Sequence, residues 1–366
     1  MRRALRLAER GRGATRPNPV VGAVVVRNGT IVGEGWHRAA GLPHAEVVAL
    51  ERAGRDARGA TLYVTLEPCV HHGRTPPCVD AILGAGVRRC VVAMRDPHAI
   101  VNGRGLRKLR AAGVRVDLGL LGAEAREALA GFVSVHERGV PLVTWKVATT
   151  FDGRVADRRG RSRWITGPEA RAATHGLRAR ADAIVIGAGT AREDDPRLTV
   201  RGAEGGRATP GNGRRIQPLR VVVTRRIDLP LDLRLLRPAL ARGTVVACGP
   251  DASPRRIAEL ERRGVEVWKL PATAAGVSPR ALARRLARAG CHDVLLESGP
   301  RLGSAMVRAG LVRRIACFTA PRLLGDPGLP WLGAIGAPSL RDARPGRIVR
   351  LETVGADALL LLEIDP

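Results

Sequence analysis

The stretch Thr65-Leu66-Glu67-Pro68-Cys69-Val70-His71-His72-Gly73-Arg74-Thr75-Pro76-Pro77-Cys78 decides how the first part of this chain folds. Residues 61–66 approach it as an apolar strand, and a helix is expected after Pro77. Upstream, His44-Ala45-Glu46 opens a helix over residues 44–53. Before that, strand 20–26 and its antiparallel return at 31–35 flank Asn28-Gly29, a pair that favours a type I′ hairpin turn. A short basic helix ending near Gly11 and a proline-rich loop at 15–19 come first. Downstream follow a strand at 89–94, a helix at 105–112 and a helix at 123–138. This alternation predicts an α/β layer fold.

The same stretch carries chemistry. His44, Cys69 and Cys78 offer one imidazole and two thiolates, leaving the fourth tetrahedral position of a zinc ion for water. Placement of the cysteines at or near helix N-termini would favour their thiolates. Glu46 stands two residues from His44 and so off its helix face, placed to serve the water as a general acid/base rather than to bind metal. Taken singly, each cysteine also reads as a small buried hydrophobe and His44 as a surface residue. The four together, in this order, read as a deaminase centre. His71 and His72 are rival ligands, read instead as loop structure or substrate contacts.

Gly139-Val140-Pro141 breaks the pattern, dividing the chain into domains 1–140 and 141–366. Strand-like runs at 142–148, 183–186, 219–223, 244–247, 265–270 and 293–297 alternate with helical stretches and predict a second α/β domain. It lacks a Gly-x-Gly-x-x-Gly after its first strand. Residues 201–217 read as a mobile surface loop. With 366 residues but only nine aromatic ones, the cores must be packed by aliphatic side chains. The net charge of +27 is almost all arginine, the only lysines being Lys108, Lys146 and Lys269. Arginine is spread through the chain rather than massed, which argues against nucleic-acid binding and suits a phosphorylated small substrate. Stacking aromatics for a single strand are also missing. Six cysteines make no disulfide framework in a chain this long, and neither a leader pattern nor a membrane-length apolar run is seen. A cytoplasmic protein is expected.

The quoted stretch, with Pro17-Asn18-Pro19-Val20-Val21-Gly22, closely resembles the bifunctional riboflavin-biosynthesis deaminase/reductase family. Other zinc deaminases typically place two residues between the cysteines, where this chain has eight. The resemblance continues through Lys146-Val147-Ala148-Thr149-Thr150-Phe151-Asp152-Gly153, Ser162-Arg163-Trp164-Ile165-Thr166, Gly189-Thr190, the run from Asp194 to Arg201, and Glu297-Ser298-Gly299-Pro300-Arg301-Leu302. It implies a cytidine-deaminase-like α/β/α domain followed by a dihydrofolate-reductase-like α/β domain. It also implies one zinc, NADPH and a dimer. The implied chemistry is deamination of a diaminopyrimidine ribosyl phosphate, then reduction of its ribosyl group to ribityl.

Carried over by position, His44, Cys69 and Cys78 would hold zinc and Glu46 would move protons. Asn18, His71 and Arg74 would hold the first substrate. Ser162, Arg178, Leu198, Arg201 and Glu297 would face the second, with Lys146 acting near its C1′. Ala148, Trp164, Thr190, Asp194, Gly299, Pro300, Arg301, Leu302, Gly303, Ser304 and Ala305 would line the NADPH site. Thr150 and Phe151 replace a common Ser-Leu, and Thr224-Arg225 stands where the family often has Asp-Ser. Arg225 therefore either pairs with a cofactor phosphate or marks a weakened cofactor site. An inactive reductase half and a basic nucleic-acid deaminase remain the competing readings.

Overall fold

The computed structural model describes residues 1–201 and 217–365. Most of the expected mobile loop, residues 202–216, lies outside the described residues. The chain divides into two compact units, Met1–Gly139 and a second beginning at Val140.

The first unit runs α1 (Arg2–Ala8), β1 (Gly22–Arg27), β2 (Thr30–Trp36), α2 (Ala45–Ala53), β3 (Thr61–Val64), α3 (Cys78–Gly84), β4 (Arg89–Val92), α4 (Arg104–Ala111), β5 (Arg115–Leu118), α5 (Gly122–Ala128) and α6 (Ala130–Arg138). Its sheet has the order β2-β1-β3-β4-β5, with β1 antiparallel to both neighbours and β3, β4 and β5 parallel. Asn28 and Gly29 both take positive φ, 49° and 80°, as the type I′ hairpin requires. Alternation along β1 makes the layers: Val24 packs with Ala4 and Leu7 of α1, while Ala23 and Val25 join the main core on the other face. Gly35 lets α2 sit directly on β2, since a Cβ there would lie 2.2 Å from the Ala45 carbonyl oxygen. The helix expected over 123–138 is two helices, broken at Leu129, whose ψ of 15° lies outside the helical range.

The second unit runs β6 (Leu142–Thr150), β7 (Arg154–Ala156), α7 (Pro168–Arg180), β8 (Ala183–Gly187), α8 (Ala188–Asp194), β9 (Leu219–Val223), α9 (Pro238–Ala241), β10 (Thr244–Cys248), α10 (Pro254–Arg262) and β11 (Glu266–Lys269). It continues through the ribbon β12 (Ala272–Thr273) and β13 (Gly276–Val277), α11 (Pro279–Arg288), β14 (Asp293–Leu296), α12 (Pro300–Arg308), β15 (Val312–Ala320), β16 (Leu329–Pro330), β17 (Gly346–Val354) and β18 (Asp357–Ile364). Five of these helices begin on proline, whose fixed φ suits the first turn. The nine-stranded sheet has the order β11-β10-β9-β8-β14-β6-β15-β18-β17. It is parallel from β11 to β15, and the β17–β18 hairpin closes it antiparallel. Trp145, 1% exposed, fills the space under α12. A Cβ on Gly303 would fall 1.9 Å from its ring.

Candidate active sites

In the first unit His44 is the residue before α2, with extended backbone at φ −71° and ψ 165°, and Glu46 lies in the first turn behind it. Cys78 is the first residue of α3. Cys69 lies in the loop after β3, not at a helix start. Its sulfur instead accepts the backbone N–H of Cys78 at 3.3 Å, so the first amide of α3 still serves it. His44 Nδ1 is 3.0 Å from Cys78 Sγ and 3.6 Å from Cys69 Sγ. One ligand atom from each of the three lies within 4.8 Å of the others. The other ring nitrogen, Nε2, is 3.3 Å from Thr75 Oγ1, which leaves Nδ1 turned toward the sulfurs. One imidazole nitrogen with two sulfurs is the donor set of a three-ligand catalytic zinc site. His71 and His72 are exposed and stand outside the cluster.

Burial first, then the charge on Cys69, pushes the Glu46 carboxyl up to about 7. The hydrogen bond between the two cysteines holds Cys69 down and Cys78 up, so Cys69 gives up its proton first. Asn18 is half-buried and its Nδ2 is 3.0 Å from His37 Nε2, while His37 Nδ1 is 3.3 Å from the Pro43 carbonyl oxygen. Burial pulls His37 down to about 4. The neutral ring thus donates to Pro43 and accepts from Asn18, leaving the Asn18 amide oxygen for another partner. Arg74 is exposed in the loop beside His71.

In the second unit, pairing of Trp145 with Leu296 across β6 and β14 sets Lys146 beside Glu297, at the carboxyl end of β14. Ligands of open α/β sheets bind at such strand ends. Glu297 and Arg178 form a bidentate pair, Nε to Oε1 at 2.6 Å and Nη2 to Oε2 at 2.8 Å, both side chains largely buried. Burial pulls the Lys146 ammonium down, opposed by Glu297. Its Nζ lies 5.9 Å from the centre of the Phe318 ring. The N–H of Gly299 is 3.4 Å from Thr190 Oγ1, which joins the starts of α8 and α12. Asp194 is half-buried, with Arg163 Nε 3.6 Å from its Oδ1. Trp164 is 64% exposed, with the Arg171 guanidinium 4.7 Å over its ring. Ser162 and Ala148 are half-buried, and exposed Arg201 donates its N–H to His175 Nδ1.

Several of the other expected site residues have side chains that are packed or paired within the protein. Leu198 is 2% exposed and belongs to the core beneath β8 and β9, so only its backbone can meet a substrate. Within 299–305 the open positions are Gly299 and Arg301: Gly303 packs on Trp145, and buried Ser304 accepts the Gly333 N–H at 2.8 Å. Arg225 pairs with Asp251 at 3.0 Å, a carboxylate that Arg226 also approaches at 3.4 Å. Buried Thr224 donates to Asp228 Oδ1 at 2.7 Å.

Residues 1–94 match the family described as the cytidine and deoxycytidylate deaminase zinc-binding region, and residues 141–359 match the RibD C-terminal domain. The riboflavin biosynthesis protein RibD of Aquifex aeolicus is 39% identical over 99% of this chain and 97% of its own length. That of Escherichia coli is 40% identical over 99% and 98%. Among solved structures, RibD of Acinetobacter baumannii superimposes with a TM-score of 0.89 at 35% identity, covering 100% of this chain and 98% of the other. A diaminohydroxyphosphoribosylaminopyrimidine deaminase/5-amino-6-(5-phosphoribosylamino)uracil reductase from Thermotoga maritima gives 0.84 at 34%, covering 100% and 97%. Full-length identity at this level, with both domains matched in order, shows that the chain belongs to the RibD family, the bifunctional deaminase/reductases of riboflavin biosynthesis.

Proposed function

We infer that the first unit deaminates a 2,5-diamino-6-ribosylamino-pyrimidinone 5′-phosphate and that the second reduces the ribosyl group of the product with NADPH. The observation that carries the reading is the convergence of His44 Nδ1, Cys69 Sγ and Cys78 Sγ beside buried Glu46. These residues fit one zinc ion, which when bound supplies the Lewis acidity that activates water near neutral pH. Glu46 takes a proton from the attacking water and gives it to the ring nitrogen, then carries the second proton, from the new hydroxyl on the ring carbon, to the departing amine, so that carbonyl and ammonia result. Asn18, His71 and Arg74 stand ready to hold the ribosyl phosphate, the guanidinium suiting its charge.

NADPH supplies the hydride in the second step, and the protein supplies alignment and charge. Lys146 meets the developing negative charge near C1′ of the opened ribose. Arg178, locked by Glu297, together with Ser162, Arg201 and the Leu198 backbone, frames that substrate. Thr190, Asp194, Ala148, the exposed Trp164 ring and the open start of α12 at Gly299 receive the cofactor, helix starts being suited to its phosphates. Six free cysteines and no helix, among the described residues, long and apolar enough to cross a membrane agree with a cytoplasmic location. A second copy of the chain is the partner expected at β17, an edge strand bearing exposed Ile348, Val349 and Leu351.

The test supplies zinc-loaded protein with the diaminopyrimidine phosphate, with and without NADPH, and resolves products by mass. Ammonia and the deaminated compound should form without NADPH, and the ribitylamino product only with it. The Glu46→Gln variant should keep its zinc and lose about 10²–10⁴-fold in deamination, while still reducing supplied intermediate. Undiminished deamination by that variant would overturn the assignment of Glu46. Nicotinamide absorbance unchanged by supplied intermediate would leave a deaminase with a silent second unit.

A further inference from the structure

Glu67 is 3% exposed and lies two residues before Cys69. Its carboxylate accepts four backbone N–H groups. Oε2 takes Gly103 at 2.8 Å and Asp96 at 3.2 Å, and Oε1 takes Gly105 at 2.9 Å and Leu106 at 3.3 Å. Gly105 and Leu106 are the second and third residues of α4, whose leading amides have no partners within the helix. The helix has no cap of its own: Gly103 precedes it at φ 84° without a side chain, and its first turn carries no acidic residue. A carboxylate 36 to 39 residues away in sequence does the capping, its charge favoured by the helix dipole.

The approach is close on the next residue as well. A Cβ on Gly105 would lie 2.1 Å from the Pro68 carbonyl oxygen. The Glu67 N–H donates to the Met94 carbonyl at 3.0 Å, just past β4. The segment that delivers Cys69 is therefore clamped between the end of β4 and the start of α4. We propose that Glu67 is a positioning residue that fixes the backbone of Pro68 and Cys69 so that the Cys69 sulfur meets His44 and Cys78. This rests on the zinc reading given above. An amide in its place keeps the size but turns one oxygen into a donor that faces two N–H groups, so half of the clamp is lost.

Zinc content and affinity, read by competition with a chromophoric chelator, are compared for the wild type and Glu67→Gln in the full chain. Reduction of supplied intermediate serves as the control for an intact preparation. Partners that orient metal ligands are typically worth about 10–100-fold in metal affinity, and a loss of that size is expected. The thiolate-to-metal bands of the cobalt-substituted variant should shift, which a purely stabilising role would not cause. Wild type without zinc would overturn the metal reading itself. Glu67→Gln with wild-type affinity and unshifted bands would overturn the clamp alone. If the variant does not fold, the wild type decides. Coupling is reciprocal: if the clamp holds the ligand set in place, zinc in turn holds the clamp closed, so zinc loading should slow amide exchange at Gly103, Gly105 and Leu106 relative to the chelated protein. Unchanged exchange at those amides overturns the proposal.

Discussion

Burial, ahead of the neighbouring Glu67 and Cys69, pushes the Asp96 carboxyl up to about 7, against an ordinary value of 3.8. The native state then holds a proton between those values that the unfolded chain has released. Stability contributed by that proton is greatest below about 3.8 and falls as pH rises to about 7. Denaturant titrations of the first unit across this window should show declining stability in the wild type and a flatter profile in Asp96→Asn. Parallel profiles would show that Asp96 is ionised in the native state throughout. At this scale the sequence was legible where chemistry repeats at short range. His44 and Glu46 share one helix start, and Cys69 and Cys78 bound one loop, so residue type and spacing pick out the three side chains whose ligand atoms the fold brings within 4.8 Å of one another. Glu67 stood just ahead of that loop unread, because its partners lie 29 to 39 residues away and are backbone amides, which leave no mark in residue type. His37 and Thr75, which set Asn18 and the His44 ring, act through side-chain contacts 19 and 31 residues apart, too distant for local spacing to reveal.

Helix α12, which begins after Gly299, holds its place only because Gly303 lets it lie on Trp145. The indole cannot yield easily, since its Nε1–H donates to the Ser298 carbonyl at 3.1 Å and its ring is buried. Gly303→Ala should therefore lift the start of α12, destabilise the second unit by about 1–3 kcal/mol through overpacking, and weaken NADPH oxidation. Thermal unfolding and both activities measured on one preparation check it, with deamination expected to be unchanged. Full NADPH oxidation in the variant would mean that the start of α12 does not position the cofactor. Among elements, the six strands read in the second unit are all present, because their apolar runs are short and bounded by turn residues. Strands β15, β17 and β18 were missed for identifiable reasons. Irregularities between Val312 and Arg314 and between Ile348 and Arg350 break the alternation that betrays a strand. The four leucines of β18 fit a helix as well as a strand. In the first unit β5 carries two charges in four residues, Arg115 and Asp117, the latter paired with Arg89 of β4 at 2.6 Å.

A chain of net charge +27 repels a second copy of itself, so any dimer must be held by contacts that outweigh that repulsion. Strand β17 is the candidate: it is the outer strand of the nine-stranded sheet, its backbone edge is unpaired on one side among the described residues, and Ile348 and Leu351 are 57% and 68% exposed. Apolar side chains of that size along a free edge are a liability in a monomer and an interface in a dimer. The arginines that accompany them, Arg347 and Arg350, are paired with Glu363 and Glu352 at 2.9 and 2.6 Å, which reduces the charge at this edge. Two results should follow in light scattering. Raising ionic strength screens the general repulsion without weakening apolar burial, so self-association of the wild type should tighten with salt. The double variant Ile348→Lys, Leu351→Lys should sediment and scatter as a monomer at concentrations where the wild type does not. Its deaminase centre should be unaffected, because His44, Glu46, Cys69 and Cys78 all lie in the first unit. A double variant that remains a dimer would place the interface on another face of the chain. A wild type that is monomeric at every salt concentration would leave the apolar edge of β17 without a partner of its own kind.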